Sequence, residues 1–157
     1  MAAVEAAAFG GTTVDEVVRR SQAEAWIGEV VDGPWWRQAG PPVQVRRPRS
    51  STRSSSARVT ADDDRRLGSR APVEIQLADE QCSQATVAHE LAHALAGVPA
   101  GHGPRFRVAH VDVVSVIVGR STGAFLAECY DRFGLEVPPR QWPDPWRGDG
   151  DGFRMLT

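Results

Sequence analysis

The sequence predicts one α+β domain in which a small three-stranded sheet packs on a central helix. The chain has 157 residues, 41% of them hydrophobic, which suits a single domain with a sizeable core. Three short stretches alternate apolar and polar residues as strands do, and the flanking stretches repeat apolar residues at helical spacing. We expect the domain to cover residues 1–137, and residues 138–157, rich in Pro, Gly and Asp, to form an irregular tail.

The first predicted element is a helix over Thr13–Val31, with Thr13 as its N-cap. Its apolar residues recur at helical spacing, and the sequence Asp-Gly-Pro at 32–34 ends it. Trp35 and Trp36 follow in a segment rich in Gly and Pro. We expect this pair to close over the core rather than to bind a ligand.

Three strands are predicted at Val43–Arg47, Ala57–Ala61 and Val73–Leu77. Residues 48–58 form an Arg- and Ser-rich loop that we expect to be mobile. From Arg46 to Arg70, eight Arg stand against three Asp, whereas the rest of the chain carries ten Arg and 17 acidic residues. A basic hairpin could follow a phosphate backbone, but such a loop is more often solvated, so nucleic-acid binding is not favoured.

The central helix is predicted from Ser83 to Ala96 and carries His89, Glu90 and His93 as H-E-x-x-H. Residues four apart lie on one face of a helix, so both imidazoles can point at one ion. Glu90 can then take a proton from a metal-bound water. The motif predicts zinc-assisted hydrolysis. Apolar residues on the same helix are expected to be buried: Val87, Leu91, Ala94 and Leu95.

A third metal ligand is needed, because catalytic zinc usually takes three protein ligands and leaves one position for water. His102 is the candidate. The helix must end before it, and Gly97 with Pro99 predicts a stop and reversal. Pro104 then begins a further helix. His110 lies about 12 Å along that helix, too far to share the ion, so we expect it to be at the surface or hydrogen-bonded.

The last predicted helix covers Thr122–Phe133 and ends at Gly134. We expect its aromatic and aliphatic residues to close the core: Phe125, Leu126 and Phe133. In the tail, Trp142 and Trp146 are expected to dock onto the domain.

H-E-L-A-H followed by H-G-P-R-F resembles the SprT-like metallopeptidases, and more closely a set of small bacterial and phage metallohydrolases with HGPRFR after the zinc helix. The resemblance covers Ile75–Phe133. It implies a zincin-like fold and one Zn²⁺ per chain, held by His89, His93 and His102 with Glu90 as catalytic base. It also implies that the strand Val73–Leu77 runs beside the substrate. One departure is the short spacing of eight residues between the second and third His, which argues against a full-size SprT substrate groove.

Four further residues are candidates for supporting roles. Asp112 and Glu128 could accept a hydrogen bond from a zinc-bound imidazole, and Glu128 is also the fallback ligand. Arg105 could stabilise an oxyanion and Tyr130 could polarise a carbonyl. For these last two residues, a surface salt bridge and a place in the core are the favoured expectations.

The sequence therefore predicts a zinc metallohydrolase that cleaves peptide bonds in a protein or peptide substrate. Two alternatives stay open: a hydrolase of a non-peptide amide, and a non-catalytic, zinc-stabilised binding or regulatory module that could be associated with DNA. The N-terminus lacks a basic segment and no apolar run reaches about 20 residues, so we expect a cytoplasmic protein without membrane contact. Cys82 and Cys129 are expected to be reduced and buried. Oligomeric state is not predicted.

Overall fold

The computed structural model, which describes residues 1–47, 54–60 and 71–146, contains six α-helices and one three-stranded mixed sheet. The helices are α1 (Ala2–Phe9), α2 (Arg20–Val31), α3 (Pro34–Ala39), α4 (Gln84–Ala96), α5 (Pro104–Ile117) and α6 (Arg120–Arg132). The strands are β1 (Val43–Arg46), β2 (Ser56–Val59) and β3 (Val73–Gln76). The predicted α+β class and all three strands are confirmed. Most of the predicted Arg- and Ser-rich loop and the end of the tail lie outside the described residues.

The N-terminal region differs from the prediction of one helix over Thr13–Val31. Thr12 caps a single 3-10 turn at Thr13–Asp15, and the Val18 N–H then donates to the Cys82 carbonyl at 2.7 Å. This hydrogen bond holds the chain just before Arg20 in an extended conformation, so α2 begins only at Arg20. Two helices were not predicted: α1 is a run of mostly Ala, the best helix former, and α3 begins with Pro34.

β3 is the central strand of the sheet, parallel to β1 and antiparallel to β2. The resemblance implies that this strand runs beside the substrate, but both of its edges are paired within the described sheet, so it has no free edge to pair with a peptide. Its buried residues Val73 and Ile75 explain the central position, since the flanking strands carry exposed side chains such as Arg46 and Val59. Within the described sheet, the unpaired edge beside α4 belongs to β2.

α4 lies at the centre of the core, between the sheet and α5. Ser83 caps its first turn by accepting a hydrogen bond from the Thr86 N–H at 3.1 Å, and its apolar face is buried as predicted: Val87, Leu91, Ala94 and Leu95. α5 packs closely against α6 at Gly123, where a Cβ would clash with Ser115 Oγ. Cys82 and Cys129 are buried and free, also as predicted.

α6 buries a different face from the one predicted. Leu126 is buried with Cys129 and Tyr130, whereas Phe125 and Phe133 are 40% and 50% exposed. Residues 126, 129 and 130 share one helix face, and Phe125 lies outside it. Phe133 follows the helix end.

The C-terminal segment docks on the helices, as expected from its tryptophans. The Trp142 indole is buried, and Trp35 Nε1 donates to the Pro143 carbonyl at 2.8 Å. Arg120 lies over the Trp146 ring at 5.2 Å. Within the described residues, no helix combines the length and apolar character needed to cross a membrane.

Candidate metal centre

Three histidine side chains converge at one end of α4. His93 Nε2 lies 3.2 Å from both His89 Nε2 and His102 Nε2, and the last two atoms are 3.1 Å apart. Imidazole nitrogens at about 2.0–2.1 Å from a tetrahedral zinc ion are spaced about 3.3 Å from one another. The observed triangle is close to that spacing, so the three rings fit a single zinc ion.

The turn after α4 brings His102 back towards the other two histidines. Gly97 ends the helix with φ of 91°, a left-handed conformation that side chains resist. A 3-10 turn over Val98–Ala100 and Gly101, with φ of 54°, completes the reversal. An unbroken helix would rotate a residue nine positions after His93 by about 180° to the far side. The predicted stop and reversal is therefore what places His102 in the group.

Phe106 forms the wall behind the three histidines. Its ring is fully buried in the first turn of α5. The ring centroids of His93, His102 and His89 lie 4.5, 4.9 and 5.1 Å from it. These edge and tilted contacts restrict each imidazole to one orientation. No role at the site was predicted for Phe106 from the sequence, so this contact was missed.

Glu5 is the partner of His89. His89 Nδ1 donates to Glu5 Oε1 at 2.6 Å. Since a carboxylate only accepts, Nδ1 carries a ring proton, and Nε2 faces the other two histidines. His93 Nδ1 is buried and has no hydrogen-bond partner among the residues described.

The contact between Glu5 and His89 shifts the pKa of each group in the direction that favours its charged form. Burial alone would raise the pKa of Glu5, but the hydrogen bond and charge of His89 outweigh it and lower that pKa. Burial likewise opposes protonation of His89, yet Glu5, through its hydrogen bond and charge, and the charge of Glu90 raise the pKa of His89. Burial and the charge of His89 lower the pKa of His93 to about 4 and also lower that of His102. Neutral rings at these two positions can act as ligands.

Glu90 lies next to the histidine group and is buried. Burial raises its pKa to about 7, while a hydrogen bond from the Ala57 backbone in β2 opposes that rise. Glu90 and His89 line one side of an open cavity of about 440 Å³. The remaining lining residues come from α1, from the segment between α1 and α2, and from α4 with the segment before it: Ala2, Glu5, Ala6, Phe9, Asp15, Val17, Glu80, Gln81, Ser83, Ala85 and Thr86.

The structure places neither predicted orienting carboxylate beside a histidine. Asp112 is buried but accepts hydrogen bonds from Arg140 and Trp142. Glu128 is exposed on α6, 3.5 Å from Arg132. Asp112 anchors the C-terminal segment instead, and Glu128 lies on the wrong face of its helix to be a fallback ligand.

The two predicted transition-state stabilisers also have other contacts. Arg105 is exposed, with its guanidinium carbon 6.0 Å from the centre of the Trp142 ring. Tyr130 is buried in the core, and its hydroxyl lies 2.8 Å from His110 Nδ1 and 3.2 Å from Met1 Sδ. The core position of Tyr130 was the favoured expectation, whereas the surface salt bridge expected for Arg105 is not among the ion pairs of the described residues. His110 is hydrogen-bonded, as expected, but it is fully buried.

Glu5 was the main residue that sequence analysis missed at the site. One signal for it is present in the chain: Glu5 is the only charged residue of α1, whose sequence is AAVEAAAF. A scan of protein-family models, a search of curated proteins and a search of solved structures each found no match. A function for this chain is therefore argued from its residues and geometry.

Proposed function

We propose that this protein is a zinc-dependent metallohydrolase of zincin-like architecture that cleaves peptide bonds. One observation carries the proposal: three Nε2 atoms 3.1–3.2 Å apart lie next to the buried carboxylate Glu90, at the edge of an open cavity. Three protein ligands with space beside them are typical of catalytic zinc, whereas structural sites are closed by a fourth ligand. No Cys, Asp or Glu of the described chain completes such a fourth position with these histidines.

Glu90 is the proposed general base. A zinc ion at the three histidines would lower the pKa of a bound water and polarise a substrate carbonyl. In that reaction the Glu90 carboxylate would accept a proton from the attacking water and later donate it to the leaving amine. A hydrogen bond from the Ala57 backbone holds this carboxylate beside the site.

A peptide substrate is favoured by the strand beside the site. β2 pairs with β3 on one side only in the described sheet, and it packs against α4 next to Glu90. The Ala57 N–H at this edge is bonded to Glu90 and the Ser55 N–H to Gln81, so an extended peptide backbone could add there only through the remaining backbone groups, such as the outward C=O groups. The cavity beside His89 could then take a substrate side chain. Small amides lack a backbone to pair with β2.

The test is peptide hydrolysis by protein loaded with one equivalent of zinc. Release of fluorescence from a library of quenched peptides is compared for the wild type, Glu90→Gln and the control Glu29→Gln, which changes an exposed residue of α2. We expect Glu90→Gln to bind zinc normally and to lose about 10²–10⁴-fold in rate. The control should match the wild type.

Equal activity of Glu90→Gln and the wild type would remove Glu90 from the reaction. Zinc-loaded wild type that cleaves no peptide but cleaves a small amide would instead support the non-peptide alternative. Zinc binding without turnover of either substrate class would support the non-catalytic module.

A further inference from the structure

A chain of four polar side chains from four helices leads from the core to the histidine group. Tyr130 of α6 contacts His110 of α5 at 2.8 Å, and His110 Nε2 lies 3.8 Å from Glu5 Oε1 of α1. Glu5 Oε1 in turn accepts from His89 of α4 at 2.6 Å. His110 and Tyr130 are fully buried. Isolated polar groups are costly in a core, so such a chain is expected to have a role.

We propose that Glu5 is a positioning residue for the metal site: it fixes the tautomer and orientation of His89, and His110 with Tyr130 holds Glu5 in place. The proposal rests on the zinc site proposed above. A carboxylate that accepts from the outer nitrogen of a zinc-bound imidazole makes the ring a better ligand and fixes its direction.

A helix that packs firmly holds Glu5 in position. Val4, Ala8 and Phe9 of α1 are buried, and α1 packs against α6. Glu5 lies three and four residues before Ala8 and Phe9, so it shares their side of the helix, where its side chain is 23% exposed. No other carboxylate contacts a ring nitrogen of His89, His93 or His102 among the described residues, so Glu5 is the one orienting carboxylate of this site.

The contact between Glu5 and His89 has the length of a hydrogen bond rather than of two ligands on one ion. Glu5, His89 and His110 could also be taken as a second group of metal ligands. Ligands at about 2.0–2.2 Å from a tetrahedral ion lie about 3.3 Å apart, however, and the observed 2.6 Å is much shorter. The geometry points to a hydrogen bond from His89 Nδ1 to Glu5 Oε1.

The carboxylate also determines how His110 is oriented. His110 Nε2 is buried, has no hydrogen-bond partner in the described chain and faces Glu5 at 3.8 Å. A proton on Nε2 would face the carboxylate favourably, and a lone pair there would be repelled. Nδ1 would then accept from the Tyr130 hydroxyl, a stronger contact for that hydroxyl than the thioether of Met1.

The first measurement is the tautomer of His89 in metal-free protein, by long-range proton–nitrogen NMR. We expect His89 to carry its proton on Nδ1 in the wild type and in Glu5→Gln, whose amide oxygen can still accept. Glu5→Ala should lose this preference, with the His93 signals and the thermal midpoint close to those of the control Glu128→Ala, an exposed residue. The spectra are recorded at a pH above the raised pKa of His89, where the ring is neutral, and a neutral wild-type His89 that carries its proton on Nε2 would overturn the inference without any variant.

The second measurement is zinc affinity, by competition with a chromophoric chelator. We expect Glu5→Ala to bind zinc about 10–100-fold more weakly than Glu128→Ala, and Glu5→Gln to lose less. If the wild type binds zinc and Glu5→Ala binds it as tightly as the control, the inference fails while the proposed function stands. Two zinc ions per wild-type chain would also overturn it. A wild type that binds no zinc would refute the proposed function, and with it this inference.

Discussion

Replacing Asp112 distinguishes the structural role found here from the orienting role that the sequence suggested. Its carboxylate is buried and accepts from Arg140 Nε and Nη2, both at 2.8 Å, and from Trp142 Nε1 at 2.9 Å. In Asp112→Ala, loss of the charged pair costs about 1.5–3 kcal/mol and the unpaired indole N–H about 1–3 kcal/mol. Arg140 is partly exposed and regains water. We expect a total loss of about 3–5 kcal/mol in the free energy of unfolding.

Urea unfolding of metal-free protein measures this loss without a contribution from bound zinc. Asp112→Asn keeps one acceptor for Trp142 and should lose about 1.5–3 kcal/mol. The control Asp131→Ala, at an exposed position of α6, should stay within about 0.5 kcal/mol of the wild type. Zinc affinity should not change in Asp112→Asn. An Asp112→Ala protein as stable as the control, or a tenfold loss of zinc affinity in Asp112→Asn, would refute the reasoning.

Two further predictions test the packing of the core. Gly123→Ala should lower the free energy of unfolding by about 1–3 kcal/mol, because the new methyl group clashes with Ser115. Gly28→Ala meets open space in α2 and should raise the free energy of unfolding by about 0.5–1 kcal/mol. Equal shifts of the two urea midpoints would contradict this prediction. Burial raises the pKa of Cys82 and so lowers its thiolate fraction at any pH. Because both thiols are buried, iodoacetamide at pH 8 should label neither Cys82 nor Cys129 until urea is added. Rapid labelling of the native protein would show that a thiol is exposed.

The parts of the fold that the sequence predicted well have local causes. Ser83 and Gly97 mark the two ends of α4 through a cap hydrogen bond and a left-handed residue, both readable within a few positions. The same local rules placed the reversal that returns His102. Strand positions followed from alternation, which is also local.

The parts that were missed depend on contacts between distant segments. Glu5 is 84 residues from His89, and no spacing rule connects them. Likewise, alternation predicts that Val73–Gln76 is a strand, but only its pairing partners decide that it is central. Asp112 was a reasonable candidate for an orienting residue because its carboxylate could accept a hydrogen bond from an imidazole. Its actual partners, Arg140 and Trp142, lie about 30 residues further along and could not be inferred from the helix pattern.

The most direct test of the account is the coordination of zinc in the loaded protein. Elemental analysis with X-ray absorption should show one zinc per chain with three imidazole nitrogens at about 2.0–2.1 Å and one further oxygen ligand from water. His102→Ala should reduce the imidazole count to two or abolish binding. A wild type without zinc, a sulfur ligand in the first shell, or a spectrum unchanged by His102→Ala would contradict the proposed site.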